Sequence, residues 1–282
     1  EDELLTELFE KKNTPYIIAY NKCDLIDSFK ELKSNEIYVS ATENINIFEL
    51  KEKIGGFANI KAEKRVIVSD LVEKGDVVIL VTPIDESAPK GRIILPQQMT
   101  LRELLDSNCT AIVCQPAELQ STVNALKNKP KLVITDSQVF GFVSKALPDD
   151  IPLTSFSILM ARYKGDLETL VNGAVALKEI KDGDKILISE GCTHHRQCND
   201  IGTVKIPGWI RAYSNAEPEF CFTSGGEFPR DLDGISLVVH CGGCMLNEKE
   251  MKSRMDFCRE SKTPIVNYGV AIAAMNGILK RS

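Results

Sequence analysis

The sequence predicts an α/β chain of three domains with parallel sheets. Short apolar segments typical of buried strands alternate with segments of helical period, and charged or proline-containing stretches interrupt this alternation twice. The 282 residues, 43% hydrophobic and 26% charged, are enough for two or three domains rather than one core. We place the domains at residues 1–60, 61–152 and 153–282.

The first domain is predicted to contain two strands between two helices. In chain order these are a helix over 2–11, strands over 16–20 and 36–39, and a helix that begins near Ile47 and ends at the glycine pair Gly55-Gly56. The chain opens at Glu1 inside the first helix, so we expect the N-terminal part of this domain to be missing.

The second and third domains are each predicted to form a parallel sheet. In the second, strands over 77–81, 111–114 and 132–135 alternate with helices near 100–106 and 118–127. Residues 77–81 are either an internal strand or, with a strand over 92–95, part of a dimer edge. In the third domain we predict helices over 158–180, 248–260 and 270–280 and strands over 185–189, 236–239 and 264–267. Residues 199–230 receive no assignment.

Composition narrows the classes of function. The net charge of −6 provides no basic surface for a nucleic-acid backbone. No apolar run reaches membrane-spanning length and no signal segment opens the chain, so we expect a cytoplasmic protein with neither nucleic acid nor membrane as a partner. Nine cysteines in a reducing compartment are expected to be metal ligands, redox groups or core residues rather than disulfides.

Two motifs at predicted strand ends indicate guanine recognition. The first strand runs into Asn21-Lys22-Cys23-Asp24, and the second runs into Ser40-Ala41. In a GTP-binding fold the Asp24 carboxylate would accept the N1 and N2 donors of guanine, Lys22 would cover the base, Asn21 would tie its loop together, and the Ala41 amide would donate to O6. A polar strand-to-helix turn is the plain alternative.

These motifs resemble the C-terminal part of a Ras-like GTPase domain. No G-x-x-x-x-G-K-[ST] string occurs in the sequence, so the phosphate-reaching lysine and the magnesium-binding hydroxyl are absent from these residues. We therefore expect GTP hydrolysis, with Mg²⁺, only of a longer protein and not of this chain alone.

Cysteine and histidine residues in the third domain indicate a metal site. Cys192 and His194 follow the predicted strand 185–189, and His240-Cys241-Gly242-Gly243-Cys244 follows the predicted strand 236–239. Loops at the carboxyl ends of neighbouring parallel strands meet at one edge of a sheet. The two glycines would let the second loop curl and bring backbone N–H groups near sulfur.

The next helix is predicted to begin with a capping box formed by Asn247 and Glu250. The metal itself is open to two interpretations. A tetrahedral structural zinc is the plain one. An iron-sulfur cluster is favoured because these ligands belong to a domain that already has its own sheet and helices, whereas a zinc ribbon uses the metal in place of a core.

The order of guanine motifs, middle α/β domain, Cys-x-His and His-Cys-Gly-Gly-Cys resembles the HydF family of [FeFe]-hydrogenase maturation proteins. The resemblance implies that Cys192, Cys241 and Cys244 hold a [4Fe-4S] cluster and that the middle domain forms a homodimer. It also implies a scaffold that carries a di-iron precursor with CO and cyanide ligands, receives it from the radical-SAM maturases HydE and HydG, and delivers it to the apo-hydrogenase HydA.

Three cysteines leave one iron of such a cluster without a thiolate. The fourth ligand would be His194, His240, a carboxylate or water, and either histidine could instead orient a ligand or hydrogen-bond sulfur. A weak ligand at this position would suit a carrier, because its cargo must also leave.

Overall fold

The computed structural model describes residues 2–11, 14–58, 65–84, 91, 93–191 and 200–281. They form two compact units, Glu1–Arg65 and Val66–Ser282. Within the described ranges no helix is long and apolar enough to cross a membrane.

The first unit contains a two-stranded parallel sheet and two helices. Helix α1 spans Asp2–Lys11, strands β1 and β2 span Ile18–Tyr20 and Glu36–Tyr38, and helix α2 spans Ile47–Ala58. The parallel register pairs Tyr20 with Tyr38, so the segments after both strands lie at the same edge of the sheet.

Helix α2 does not end at the predicted glycine pair. Gly55 and Gly56 lie inside it, and neither has a positive φ angle. Glycine costs a helix interior only about 1 kcal/mol relative to alanine. The prediction of a stop was wrong because glycine ends a helix only where the backbone turns left-handed.

The first sheet of the second unit has four parallel strands in the order β4-β3-β5-β6. These strands are β3 (Val77–Val81), β4 (Thr110–Cys114), β5 (Leu132–Thr135) and β6 (Leu153–Ser155). The helices between them are α3 (Leu95–Asp106), α4 (Leu119–Ala125) and α5 (Phe140–Ala146). Strand β3 pairs on both sides, which confirms the internal strand and makes the dimer-edge alternative wrong. Of its proposed partner over 92–95, Arg92 lies outside the described residues and Leu95 begins a helix.

The second sheet also has four parallel strands, in the order β10-β9-β7-β8. The elements that lead to it and build it are helix α6 (Phe156–Lys164), helix α7 (Leu167–Gly173), strand β7 (Lys185–Ser189), helix α8 (Ile206–Ser214), strand β8 (Glu219–Thr223), strand β9 (Ile235–His240), helix α9 (Glu248–Glu260), strand β10 (Ile265–Asn267) and helix α10 (Tyr268–Met275). Strand β8 falls in the region that the sequence left without assignment.

The continuous helix predicted over 158–180 is broken into several pieces. Helix α6 ends at Lys164 with Gly165 as its C-cap. Asp166 caps the start of α7, and its side chain accepts the Thr169 amide at 3.2 Å. A 3-10 turn, Ala174–Lys178, follows. The prediction was wrong because a glycine followed by an N-capping aspartate restarts the helix in a new direction.

One cluster of buried apolar residues joins both sheets of the second unit. It runs from Ile79 and Val133 in the first sheet through Ile158 in α6 to Leu187 and Val238 in the second. Helix α6 therefore lies at the junction of the two sheets. This position brings its two ends close to the carboxyl edge of the second sheet.

Glu103 on α3 fixes the first residues of the second unit. Its carboxylate accepts hydrogen bonds from the amides of Ile67, Val68 and Ser69 at 2.9–3.0 Å. Burial raises the pKa of Glu103, but the three amides outweigh burial and lower the pKa from its ordinary value of 4.5. A lowered carboxyl pKa means stability that is present above pH 4.5 and is lost as the pH falls through the folded-state pKa.

We expect Glu103→Gln to lower the free energy of unfolding by about 1.5–3 kcal/mol at pH 7, because the amides lose a charged acceptor. Urea denaturation measures the change. The wild type and the variant should converge as the pH falls through the lowered pKa. The control is Asp106→Asn, which removes only the exposed ion pair with Arg102 and should change stability by less than about 1 kcal/mol. A constant difference at all pH values would contradict this role.

Candidate functional site

The predicted guanine loops lie together in the first unit. Asn21 Oδ1 accepts the Lys22 amide of its own loop at 2.9 Å and the Ala41 amide of the second loop at 3.2 Å, so it connects the two loops. Lys22 has a φ angle of 63° and begins the 3-10 turn that exposes Asp24. Ser40 is buried, and its hydroxyl accepts the Glu43 amide at 3.1 Å. These hydrogen bonds connect the two loops, and the Asp24 carboxylate remains exposed.

In the second unit, the loops after β7 and β9 meet at Cys241. The strands are in register with Ser189 opposite His240, and the Cys241 amide donates to Ser189 O at 2.9 Å. Cys241 Sγ in turn accepts the amides of Gly191 at 3.0 Å and Gly243 at 3.3 Å. Cys241 Sγ is thus the common acceptor of two backbone N–H groups from two different loops.

The loop after Cys241 depends on Gly243. Its φ angle is 62°, and a Cβ there would lie 2.6 Å from Met251 Sδ on α9, so neither the backbone nor the space suits a larger residue. Asn247 caps α9 by accepting the Glu250 amide at 2.8 Å, as predicted. The reciprocal half of the predicted capping box is absent, because Glu250 Oε1 accepts Arg254 Nε at 2.8 Å instead.

Lys164, the last residue of α6, reaches into the same loop. Its side chain is buried and Nζ donates to the carbonyl oxygens of Gly243 at 2.9 Å, Cys244 at 2.7 Å and Leu246 at 2.8 Å. Burial lowers the pKa of Lys164, and negative charge at Cys244 and Cys241 acts in the opposite direction. The cysteine loop is thus held by a cation from another element.

His240 is fully buried, and both of its ring nitrogens have protein partners. Nε2 lies 3.1 Å from Arg254 Nη1, and Nδ1 lies 2.8 Å from the Cys241 carbonyl oxygen. Arg254 can only donate, so Nε2 accepts and the Nδ1 proton is directed to the carbonyl. Burial lowers the pKa of His240 to about 4, so the ring is neutral at pH 7.

Arg254 connects His240 to the surrounding chain. Its side chain is 2% exposed; Nε donates to Glu250, Nη2 donates to Gly225 O at 2.9 Å, and the guanidinium lies over the Phe228 ring at 5.0 Å. Every side-chain nitrogen of Arg254 therefore has a partner. Through Arg254 the loop that follows β8 is connected to His240, the residue before Cys241.

The predicted metal ligands are only partly covered by the structure. Cys192 and His194 lie outside the described residues, and the described part of the chain holds no group of three or more ligand-type side chains. Cys241 and Cys244 are partly exposed at the loop. A thiolate with two amide donors, a glycine loop and a nearby buried cation fits a thiolate-held metal group.

Lys164 and Arg254 are the residues that sequence reasoning missed. Lys164 continues the row Phe156 and Met160, four residues apart, and all three are buried. A charged residue in an otherwise apolar row is the one signal that pointed to a buried cation. Arg254 occupies a similar position in the row with Met251 and Met255, Cys258 completing the buried face.

Two domain families match consecutive parts of the second unit. Residues 67–165 match the hydrogen maturase F dimerization domain, and residues 168–282 match the hydrogen maturase F tetramerization domain. The chain belongs to the hydrogen maturase F family. Lys164 lies in the segment that matches the dimerization domain, whereas the loop that it binds lies in the segment that matches the tetramerization domain.

Solved structures with a remote likeness are folate enzymes. The bifunctional FolD methylenetetrahydrofolate dehydrogenase/cyclohydrolase from Campylobacter jejuni is 13% identical over 83% of this chain and 92% of its own, with a TM-score of 0.24. A 5,10-methylenetetrahydrofolate dehydrogenase from the silkworm Bombyx mori is 12% identical over 83% and 91%, with a TM-score of 0.23. Neither likeness bears on the function of this hydrogen maturase F member. No curated protein matches the chain.

We expect Arg254→Met to lower the free energy of unfolding of the metal-free protein by about 3 kcal/mol, because it leaves His240 Nε2 and Gly225 O unpaired. Arg259→Met is the matched control on the same helix, since Arg259 is 57% exposed and forms only surface ion pairs. Its effect should stay below about 1 kcal/mol in the same urea titration. An equal loss of unfolding free energy in the two variants would contradict a specific contribution from the buried hydrogen bonds of Arg254.

Proposed function

We propose that this hydrogenase maturation protein is a scaffold in which Cys192, Cys241 and Cys244 hold a [4Fe-4S] cluster. The observation that carries the proposal is the Cys241 sulfur, which two backbone amides approach at the meeting point of two parallel strand ends. Cys244 belongs to the same loop, three residues later in a chain bent by Gly243. Membership of the hydrogen maturase F family supports a thiolate cluster over a structural zinc.

The cluster would supply one iron without a cysteine ligand. His194, a carboxylate or water would occupy that position as an exchangeable ligand. We assign His240 a positioning role, because both of its nitrogens are engaged by Cys241 and Arg254. It sets the orientation of the peptide that carries the Cys241 sulfur.

The cargo of the scaffold would be the di-iron precursor with CO and cyanide ligands. In this proposal HydE and HydG supply it and apo-HydA receives it, in the cytoplasm, and the protein self-associates as a homodimer. The names of the two matched domains, dimerization and tetramerization, support self-association. An exchangeable position at the cluster suits a carrier because the cargo is held and later released.

The first unit would read guanine in a GTP-binding domain. Asn21 already joins Lys22 and Ala41 into one loop, and the Asp24 carboxylate is exposed for the base. Hydrolysis of GTP would belong to a longer protein that supplies a phosphate loop and Mg²⁺. Nucleotide state would then bias release of the cargo, with a coupling typically of about 1–3 kcal/mol.

We expect Cys241→Ala to abolish the cluster, since it removes a thiolate ligand and leaves the Gly191 and Gly243 amides without their sulfur acceptor. Iron, sulfide and zinc are measured after anaerobic purification and reconstitution. The wild type should be brown, with about four irons and four sulfides per chain. Cys221→Ala, which removes an exposed thiol on β8, is the control and should keep the wild-type iron content. A colourless wild type with one zinc would favour the structural-zinc alternative and overturn the proposal.

We expect Asp24→Asn to shift nucleotide preference from GTP toward XTP by about 100-fold, because an amide donates to the xanthine O2 where the carboxylate accepted from guanine N2. Equilibrium titration with both nucleotides measures the ratio. Asp27→Asn, an exposed change three residues later, should leave the ratio unchanged. An unaltered preference in Asp24→Asn would refute guanine reading by this loop.

A further inference from the structure

The geometry around Lys164 requires a charged side chain. Its Nζ has three carbonyl acceptors, from Gly243, Cys244 and Leu246, all within 2.9 Å. An ammonium group has three N–H donors, whereas a neutral amine has two. Only the protonated form can donate to all three acceptors at once. A positive charge is therefore placed inside the loop that carries the two cysteines.

No carboxylate in the described part of the chain pairs with this ammonium group, although Lys164 is only 9% exposed. The negative groups that act on it are Cys244 and Cys241. A buried charge without a counter-charge is costly, and carbonyl dipoles offset only part of that cost. The sulfurs of Cys244 and Cys241 are the groups nearby that would carry negative charge when they hold a metal centre.

Helix α6 contacts the cysteine loop at both ends. At its start, Ser157 Oγ lies 3.4 Å from the position that a Cβ on Gly242 would occupy, and it accepts the Gly269 amide at 3.2 Å. At its end, Lys164 binds the carbonyls that follow Gly242. The helix belongs to the dimerization-domain match, and the loop belongs to the tetramerization-domain match. A rigid element of one domain thus carries the loop of the other.

We propose that Lys164 is a positioning residue for the metal centre, which holds the Cys241–Cys244 loop in its ligand-binding shape and offsets the negative charge of the cluster and its thiolates. The second half of this inference rests on the proposed function, because it needs a cluster. The first half does not, because the three hydrogen bonds exist in the metal-free protein. The two halves therefore have separate measurements.

The first measurement uses metal-free protein. Lys164→Met keeps an unbranched side chain, one atom shorter, and removes the ammonium charge and the hydrogen bonds that it donates to three loop carbonyls. We expect iodoacetamide to alkylate Cys244 about tenfold faster in this variant, followed by peptide mass spectrometry, because the loop opens more often. An unchanged rate would overturn the loop-holding half.

The second measurement is a redox titration of the reconstituted cluster followed by EPR. A nearby cation stabilises the reduced, more negative cluster, so the midpoint potential should be lower in Lys164→Met than in the wild type. Lys164→Arg keeps the charge and should restore most of the potential. Lys164→Gln loses the charge but can still donate to two carbonyls, so it should lower the potential with a smaller effect on alkylation. It also serves if Lys164→Met fails to fold.

The matched control is Arg281→Met. Arg281 is also a cation that donates to several backbone carbonyls, those of Ser144, Leu147, Pro148 and Ile151, but these precede β6 at its amino end. This variant should keep both the wild-type potential and the wild-type alkylation rate. Wild-type potentials in both Lys164→Met and Lys164→Gln would overturn the electrostatic half. A wild type that binds no iron would instead refute the proposed function, and the alkylation rates would still decide the loop-holding half.

Discussion

The position of the loop that carries Cys241 and Cys244 depends on the register between β7 and β9. With Ser189 opposite His240, the turn after β7 places the Gly191 amide on the Cys241 sulfur. A slip of one residue would turn every side chain of β9 to the other face of the sheet and remove this contact. The register is protected because Leu187, Val238 and their neighbours are buried on both faces.

Around this edge the protein buries an unusual number of charged or polar side chains for a site next to an apolar core. Lys164, Arg254 and His240 are all less than 10% exposed, and each is held by named hydrogen bonds. Such groups destabilise a protein when unpaired and fix one conformation when fully paired. Together these hydrogen bonds fix the orientation of carbonyl groups in the loop that carries Cys241 and Cys244 in the metal-free protein.

Sequence reasoning found the strands whose burial is complete. The bounds of β3, β5 and β7 were predicted to the residue, because each contains at least three consecutive apolar residues that are buried. It missed β6, a three-residue strand of which two residues are polar, and β8, which begins at a glutamate and alternates like an edge strand. Short strands and edge strands carry little apolar signal, so only the pairing partner reveals them.

The loop that carries Cys241 and Cys244 was predictable from the sequence, whereas the residues that hold this loop in place were not. Cys241 follows a buried strand in a glycine-containing loop, which spacing alone could show. Lys164 is distant from that loop in sequence and meets it only because α6 crosses the junction of the sheets. Nothing in the sequence indicated that the two ring nitrogens of His240 contact Arg254 and the Cys241 carbonyl oxygen.

A cluster held by three cysteines would leave one iron open to an exchangeable ligand. The most direct measurement is the EPR spectrum of the reduced, reconstituted protein with and without added cyanide. We expect cyanide to shift the spectrum, because it replaces a weak ligand at the iron without a thiolate. A spectrum that stays the same at saturating cyanide would show a closed cluster and contradict the account.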